Sequence, residues 1–278
     1  NETGRVTKGA ALALKSRALL YAASALHNPD NDPTRWEAAA KAAYEVIAMG
    51  KYQLPKITAD ELYSDKGGHE VLKSKQLIFE RRATGKTNDF ESRNEPMGYE
   101  SAEGGNTPTQ NLVDAYELKD GTPFSWDNPV HVSNIYYDAE GKQTRDPRLY
   151  LNVLTNGATW LKQKVETFEG GKNKILDGST KTGYYLRKYM NPSVSLDPDK
   201  PNKLEHHYIL FRYAEILLNY AEAMNEWKGP DAMAEGCPLT AREALNQVRN
   251  SADMKAVTAT GTEFTEKVRN ERRIELAF

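Results

Sequence analysis

Three stretches in the middle of the chain combine aromatic rings, amide side chains and glycines. They are "NDFESRNEPMGYESAEGGNTPTQ" (88–110), "DGTPFSWDNP" (120–129) and "NGATW" (156–160). A flat ring can stack on the apolar C–H face of a sugar, while amide and guanidinium groups hydrogen-bond the sugar hydroxyls. These stretches therefore predict a sugar-binding surface, with the alternative that each ring fills space beneath a long loop. The candidate residues are Phe90, Tyr99, Phe124 and Trp126 for stacking, and Arg93, Asn94 and Asn106 for the hydroxyls.

Motifs for other kinds of chemistry are incomplete. "RATGKTND" (82–89) resembles the end of a phosphate-binding loop, but Glu80 stands where that loop requires glycine. Asp30 with Asp32, and Asp197 with Asp199, lack the glycine and terminal glutamate of a calcium loop and are predicted to form turns. No G-x-S-x-G nucleophile elbow occurs. The sequence therefore gives no support for catalysis and predicts no cofactor.

The five histidines show no zinc-ligand spacing and are expected at the surface. They are His27, His69, His131, His206 and His207. The single cysteine, Cys237, allows no internal disulfide and is expected to be a small buried or loop thiol. No metal site is predicted.

Charge and hydropathy exclude two further classes of function. The net charge is −2 over 278 residues, and the signs are interspersed, so nucleic acid is not an expected partner. The most apolar stretch, Ala18–Leu26, is shorter than the roughly 20 residues that a membrane helix needs. The opening "NETGRVTKGAALAL" contains neither a signal peptide nor a lipid-attachment cysteine.

Helical periodicity dominates residues 5–50 and 204–278, whereas 51–203 are irregular and rich in Gly, Pro, Asn and Tyr. Helices are predicted from Thr7 to Leu26 and from His207 to Trp227. Each is followed by a T-x-x-E capping box and a second helix. Gly50 is suited to end the second helix of the first pair. The two capping boxes are Thr34 with Glu37 and Thr240 with Glu243.

The segment "RYAEILLNYAEAMNE" (212–226) carries its polar residues on one narrow stripe. Their spacing of 3, 4, 3 and 4 places them on one helix face, and the rest of the segment is apolar. This predicts an inner helix whose stripe meets solvent or a neighbouring helix, in preference to a ligand, with an ion pair between the first two members. The stripe consists of Arg212, Glu215, Asn219, Glu222 and Glu226.

The two helix pairs share one design, because Tyr21-Ala22-Ala23 and Tyr220-Ala221-Glu222 occupy equivalent positions. Small residues at such positions let helices approach closely, as in stacked tetratricopeptide hairpins. The alternative is two unrelated alanine-rich helix pairs. The predicted fold is mainly α, with a tetratricopeptide-like helical hairpin scaffold and a large, irregular, loop-rich insertion.

Seven blocks in order resemble the SusD/RagB family of nutrient-binding outer-membrane lipoproteins of Bacteroidetes. They are "GRVTKGAALALKSRALLYAAS", "PTQNLVDAYELKDGTP", "RDPRLYLNVLTNGATW", "TGYYLRKYMNP", "ILFRYAEILLNYAEAMNE", "ALNQVRN" and "VRNERRIELAF". The resemblance covers essentially the whole chain, so residues 1–278 are expected to form a single, partial SusD-like domain. It assigns 5–50 and 204–278 to the helical scaffold and 51–203 to the ligand-binding part.

The resemblance implies a surface-exposed, non-enzymatic glycan-binding protein that delivers nutrient to a TonB-dependent transporter of the SusC type. It implies membrane attachment only through an acylated N-terminal cysteine, which this chain lacks, and we expect the chain to be a fragment lacking both ends. Aromatic residues in the loops flanking "PTQ…DAYE" bind glycan in such proteins, which supports Tyr99 and Trp126. The rival functions are a tetratricopeptide-type adaptor that binds a peptide, and a glycoside hydrolase. No block specifies the ligand.

Overall fold

The computed structural model describes residues 5–63, 70–82, 85–174 and 180–278. Its longer helices are α1 (Lys8–Ala23), α2 (Pro33–Ile47), α8 (Tyr213–Lys228), α9 (Ala241–Ser251) and α10 (Gly261–Glu275). Short helices are α3 (Ala59–Tyr63), α4 (Asp89–Asn94), α5 (Gln110–Ala115), α6 (Pro129–Ser133) and α7 (Pro147–Asn152), with a 3-10 turn at Glu70–Lys73. The strands are β1 (Leu77–Arg82), β2 (Val153–Leu154), β3 (Thr159–Trp160), β4 (Gln163–Lys164), β5 (Tyr185–Leu186) and β6 (His207–Arg212).

The fold is mainly α, as predicted, with tetratricopeptide-like helical hairpins and a loop-rich insertion. Contacts between residues divide the chain into two compact units. The first unit comprises Asn1–Lys56, Ser74–Arg81 and Ile209–Ala277, and the second comprises Ile57–Lys73, Arg82–Tyr208 and Phe278. The assignment of the whole chain to one domain stays a prediction.

Helix α8 lies at the centre of the first unit. It packs against α1, α2, α9 and α10, and eleven of its sixteen residues are buried. Leu217 and Leu218 join Leu20, Trp36 and Phe264 in one hydrophobic cluster. Full burial of each such side chain contributes about 1.5 to 3 kcal/mol. The predicted inner helix is therefore the element around which the other helices assemble.

Alanines let the first hairpin close tightly. Ala13 of α1 and Ala39, Ala40 and Ala43 of α2 are all buried, and the two helices pack on each other. Side chains this small bring the helix backbones close together, which is the packing expected of tetratricopeptide-like hairpins. The lone thiol, Cys237, is buried in the same unit, as predicted.

One of the two predicted capping boxes is confirmed. The Thr240 hydroxyl accepts a hydrogen bond from the Glu243 amide, and the Glu243 carboxylate accepts one from the Thr240 amide at 2.8 Å. The box predicted at Thr34 is wrong, because Pro33 is the first residue of α2 and Asp32 caps the helix. Proline lacks an amide hydrogen and has a helical φ, so the first helical position suits it.

The prediction of a helix over the whole of His207–Trp227 is also wrong. Its first six residues form β6, which pairs with β1 in a two-stranded sheet, and α8 begins only at Tyr213. The segment "HYILFR" is aromatic and β-branched, which favours a strand. A short apolar run does not distinguish strand from helix by its periodicity, so the sequence left this boundary ambiguous.

The polar stripe of α8 meets neighbouring helices. Glu215 accepts two hydrogen bonds of 2.6 Å from the Arg17 guanidinium of α1. Asn219 accepts a hydrogen bond of 2.8 Å from Arg272 of α10, which also pairs with Glu222 at 2.9 Å.

The predicted pair between Arg212 and Glu215 does not form, because Arg212 belongs to β6 and lies outside the helical register. Its guanidinium instead pairs with the side chain of Glu275 and donates to the Glu275 carbonyl. A ligand-facing role for the stripe therefore has no support in the described contacts.

The second unit is built from short elements and long connections. Strand β2 pairs antiparallel with β5, placing Val153 opposite Leu186, and β3 pairs antiparallel with β4. One hydrophobic cluster among the described residues surrounds Tyr185, which is fully buried. The other members are Tyr99, Leu154, Ala158, Trp160, Val165 and Met190.

Across the described ranges, none of the helices combines the length and the apolar character needed to cross a membrane.

A buried ion pair between α9 and α10 gives a test of this packing. Arg249 and Glu271 are 2.9 Å apart, and their side chains are only 3% and 0% exposed. Replacing Glu271 by Gln removes the negative charge from this buried pair, so we expect a loss of about 3 kcal/mol in the free energy of unfolding. Urea denaturation followed by circular dichroism measures this loss.

The matched control on the same helix is Glu266→Gln. Glu266 pairs with Arg269 at the surface, where both side chains are more than 60% exposed, so its loss should cost less than about 1 kcal/mol. Equal destabilisation by the two substitutions would contradict the importance of the buried pair.

Candidate ligand-binding site

Helix α5 is fixed at its C-terminal end by one buried arginine. Thr109 caps the start of the helix by accepting a hydrogen bond from the Leu112 amide. At the other end, the Arg145 guanidinium donates to the carbonyl oxygens of Val113 at 2.9 Å and Tyr116 at 2.6 Å. The last carbonyls of a helix have no partner within the helix, and Arg145, which is 1% exposed, supplies them with charged donors.

The same guanidinium supports two of the predicted stacking rings. The carbon at the centre of the Arg145 guanidinium lies 4.1 Å from the centre of the Phe124 ring, as in a cation–π contact. Phe124 meets Trp126 edge to face, with ring centres 5.2 Å apart, and also contacts His131. The sequence predicted both rings, and the structure brings them together.

Trp126 presents its ring to solvent while its polar edge is anchored. The side chain is 50% exposed, and the indole N–H donates to the Asp114 carboxylate at 3.0 Å. Together, Asp114, Phe124, Trp126, His131 and Arg145 form what we call the Trp126 platform. An exposed aromatic ring in a fixed orientation can stack on an apolar face of a ligand with little loss of conformational entropy.

A chain of hydrogen bonds connects the platform to the protein interior. The buried hydroxyls of Tyr136 and Tyr184 are 2.6 Å apart, and Tyr184 donates to the Gln110 side-chain oxygen at 2.8 Å. The Gln110 amide donates to Asp114 at 2.7 Å. Burial and the hydrogen bond with Tyr184 raise the pKa of Tyr136, so its hydroxyl stays protonated as a donor. Asp114 is thereby held in position to accept the indole N–H.

Sequence reasoning missed the residues that support the platform. Asp114 and Gln110 are four residues apart on α5, inside the block "PTQNLVDAYE", which is a spacing that places them on one helix face. That spacing was the available signal. Arg145 lies 19 to 21 residues after the rings it supports, and no local pattern connects it to them.

Four further predicted residues, Phe90, Arg93, Asn94 and Asn106, gather around α4. The Asn94 side-chain oxygen accepts from the Asn106 side-chain amide at 2.5 Å, and its own amide donates to the Phe90 carbonyl at 2.7 Å. Asn94 is buried, so its described contacts position the loop after α4, while Arg93 and Asn106 are exposed. An added Cβ at Gly105 would lie 2.7 Å from the Arg93 carbonyl oxygen, so this close approach requires glycine.

Phe90 contacts the rings of His206 and Tyr189, and His206 is in turn paired with a buried carboxylate. The His206 Nε2 atom lies 2.9 Å from Glu91, whose side chain is fully buried. Burial opposes the protonated ring, but the hydrogen bond and charge of Glu91 outweigh it and raise the pKa of His206. Phe90 is therefore half-buried and in contact with two other rings.

Tyr99 is more deeply buried than the other three predicted rings, and Phe90 packs against the cluster to which Tyr99 belongs. Its side chain is 9% exposed within the cluster around Tyr185, and its hydroxyl donates to the Trp160 carbonyl at 3.2 Å. Such burial leaves little of the ring for stacking. The ligand-binding role of Tyr99, like that of the other six residues, stays a prediction.

Other sequence expectations have mixed outcomes. His207 is buried, contrary to the expected surface position, because it belongs to β6, whose first residue is enclosed. His27 is exposed, and His69 lies outside the described residues. Among the residues that the structure describes, no group of three His, Cys, Asp or Glu side chains could hold a metal ion.

Comparisons with known proteins give consistent matches. The model of the SusD family matches residues 75–278. A SusD-like protein from Bacteroides fragilis is 29% identical with a TM-score of 0.74, and the match covers 100% of this chain and 53% of that one. A SusD-like carbohydrate-binding protein from the same species is 27% identical with a TM-score of 0.77, covering 99% and 50%. This chain therefore spans about half the length of these relatives. A comparison with curated proteins found no match.

Replacing Arg145 by Met tests the support of the platform. Met fills part of the space but donates no hydrogen bond, so the carbonyls of Val113 and Tyr116 lose the charged donor that Arg145 supplies. We expect a loss of about 2 to 4 kcal/mol in the free energy of unfolding, measured by urea denaturation. Lys142→Met, at an exposed position close in sequence, should change it by less than about 0.5 kcal/mol. If Arg145→Met lowers the free energy of unfolding by no more than Lys142→Met does, the hydrogen bonds of the Arg145 guanidinium are not needed for stability.

Proposed function

We propose, on the premise that this chain belongs to the SusD family, that it is a non-enzymatic glycan-binding protein of a nutrient-uptake system. The Trp126 platform is the part of the chain that contacts the glycan. The protein works at the surface of the outer membrane and delivers its ligand to a TonB-dependent transporter of the SusC type. Because the relatives are about twice as long, the activity and partners of the whole protein are part of this proposal.

The geometry of the Trp126 platform carries the proposal. A half-exposed indole is anchored by Asp114 on its polar edge and by Phe124 on its side, so the ring is oriented before a ligand arrives. A pyranose offers an apolar face that fits such a ring, and preorganisation lowers the entropic cost of binding. The carbohydrate-binding relative from Bacteroides fragilis supports a glycan as the ligand class.

The hydroxyls of the glycan are bound by polar side chains of the same unit. Arg93 lies in α4, and Asn106 follows α4 in the chain. Both side chains are exposed, so they can reach a ligand. Asn94 positions the loop that carries Asn106, through a hydrogen bond to the Asn106 amide. Phe90 and Tyr99 contribute edges of their rings. Binding requires neither a cofactor nor a metal ion.

Trp126→Ala tests the proposed contact. Loss of a central aromatic anchor should weaken polysaccharide binding by about 1 to 3 kcal/mol, a factor of about 5 to 150, while the unfolding midpoint changes little. The measurement is retardation in native gels that contain a graded series of plant, host and microbial polysaccharides.

Phe168→Ala is the matched control, since Phe168 is 54% exposed in the same unit but lies outside the platform. The proposal fails if Trp126→Ala and Phe168→Ala migrate alike in every polysaccharide that retards the parent protein. Prolonged incubation of the parent protein with the bound polysaccharide should release no reducing ends. Their release at a rate above background would show a glycoside hydrolase.

The partnership with a transporter needs the full-length protein. Co-expression with a SusC-type barrel from the same organism should yield a complex that purifies from outer membranes by a tag on either component. Recovery of the tagged protein from the soluble fraction, with no barrel attached, would contradict both the partner and the location. The glycan-binding result does not depend on this outcome.

A further inference from the structure

The histidine of the Trp126 platform closes the loop that carries the exposed indole. The Ser125 amide N–H donates to the His131 Nδ1 atom at 3.2 Å, which joins two residues six positions apart. The His131 ring also contacts the Phe124 ring, with ring centres 5.9 Å apart. His131 therefore contacts both residues that immediately precede Trp126 in the chain, one through its nitrogen and the other through its ring.

The bond to His131 spans the loop, whereas the other hydrogen bonds at Ser125 are local. The Ser125 hydroxyl accepts from the Asp127 amide at 3.2 Å, and its carbonyl accepts from the Asn128 amide at 3.3 Å. These bonds shape a turn at the start of the loop. Because Trp126 lies inside the segment that the His131 bond closes, loss of this bond would free backbone torsions on both sides of the indole.

Both nitrogens of the His131 ring face N–H groups. The Ser125 amide faces Nδ1, and the side-chain nitrogen of Asn128 lies 3.1 Å from Nε2. The Asn128 oxygen accepts from the Val130 amide at 3.0 Å, where it caps α6. A neutral imidazole keeps one lone pair that can accept a hydrogen bond, whereas an imidazolium carries a proton on each nitrogen. Protonation would therefore replace the hydrogen bond at Nδ1 by two N–H groups that point at each other.

The charged groups near His131 have opposing effects on its protonation. Asp114, at the polar edge of the indole, and the exposed Asp127 favour a positive charge. Arg145 contacts the same Phe124 ring as His131 and opposes a second positive charge. These contributions partly cancel and are screened by salt, whereas the amide at Nδ1 is in direct contact with the ring. The hydrogen bond therefore decides which form of the ring fits the platform.

We propose that His131, in its neutral form, is a positioning residue of the Trp126 platform, and that its protonation releases the indole and weakens glycan binding. This role rests on the proposed glycan contact of the platform and adds the condition under which that contact forms. Histidine is the side chain whose charge ordinarily changes between about pH 5 and 8. The neutral ring accepts the Ser125 amide, so binding is strongest at the upper end of this interval and falls towards the lower end.

Two substitutions separate the hydrogen bond from the proton. Asparagine carries an acceptor oxygen on its Cγ, as histidine carries Nδ1, so His131→Asn can accept from the Ser125 amide but cannot gain a proton. His131→Ala removes both properties. The matched control is His27→Asn, which makes the same change at an exposed position of the first unit.

Nuclear magnetic resonance follows the indole without any glycan. The Trp126 side-chain N–H gives the indole peak that is missing from the spectrum of Trp126→Phe. We expect this peak to move between about pH 7.5 and 5.5 in the parent protein and in His27→Asn, and to stay in place in His131→Asn. A peak that moves equally in the parent and in His131→Asn, or that moves in neither, would overturn the proposal. In the parent, the ring C–H resonances of His131 must change with the same pH midpoint as the indole peak, so the test does not require that a variant folds.

Isothermal titration calorimetry with a polysaccharide that retards the parent protein in gels measures the effect on binding. Parent affinity should fall about two- to tenfold from about pH 7.5 to 5.5, which corresponds to the loss of one hydrogen bond. His131→Asn should bind as the parent does at the higher pH and keep that affinity at the lower pH, whereas His131→Ala should bind weakly at both. Parent-like binding by His131→Ala, or an equal fall in the parent and in His131→Asn, would contradict the role of His131. If no polysaccharide retards the parent protein, the proposed function fails, and the indole peak still decides whether His131 positions the ring.

Discussion

Buried polar groups must find partners, and this constraint determines how the helices of the first unit are arranged. Helix α8 carries a polar stripe into an otherwise apolar core, where an unpaired carboxylate or amide would cost several kcal/mol. The described contacts of the stripe reach two neighbours. Glu215 and Asn219 meet Arg17 and Ser16 of α1, and Asn219 and Glu222 meet Arg272 of α10. Apolar packing alone would tolerate rotation of α8 about its axis. The ion pairs fix the rotation, because only one orientation satisfies them together.

The same constraint shapes the Trp126 platform. Short helices such as α5 have more unsatisfied terminal groups than internal hydrogen bonds, so they persist only where other residues complete them. Arg145 completes α5 and, with the face of its guanidinium, supports Phe124. Stability of the loop region and orientation of the exposed indole therefore depend on one buried charge. This arrangement explains how irregular backbone can hold a ring in place without a sheet or a long helix beneath it.

Features set by local chemistry could be predicted from the sequence, and features set by distant partners could not. The mainly helical fold and the capping box at Thr240 follow from periodicity and from residues three positions apart. At Asp32 the local sequence also determines the helix start, because Pro33 suits the first position of α2 and thereby overrides the T-x-x-E pattern at Thr34. The strand at His207–Arg212 depends on its partner β1, more than 120 residues earlier. For the site, residue types predicted the rings of Phe124 and Trp126, but burial separates Tyr99 from them in role, and burial is a property of the whole fold.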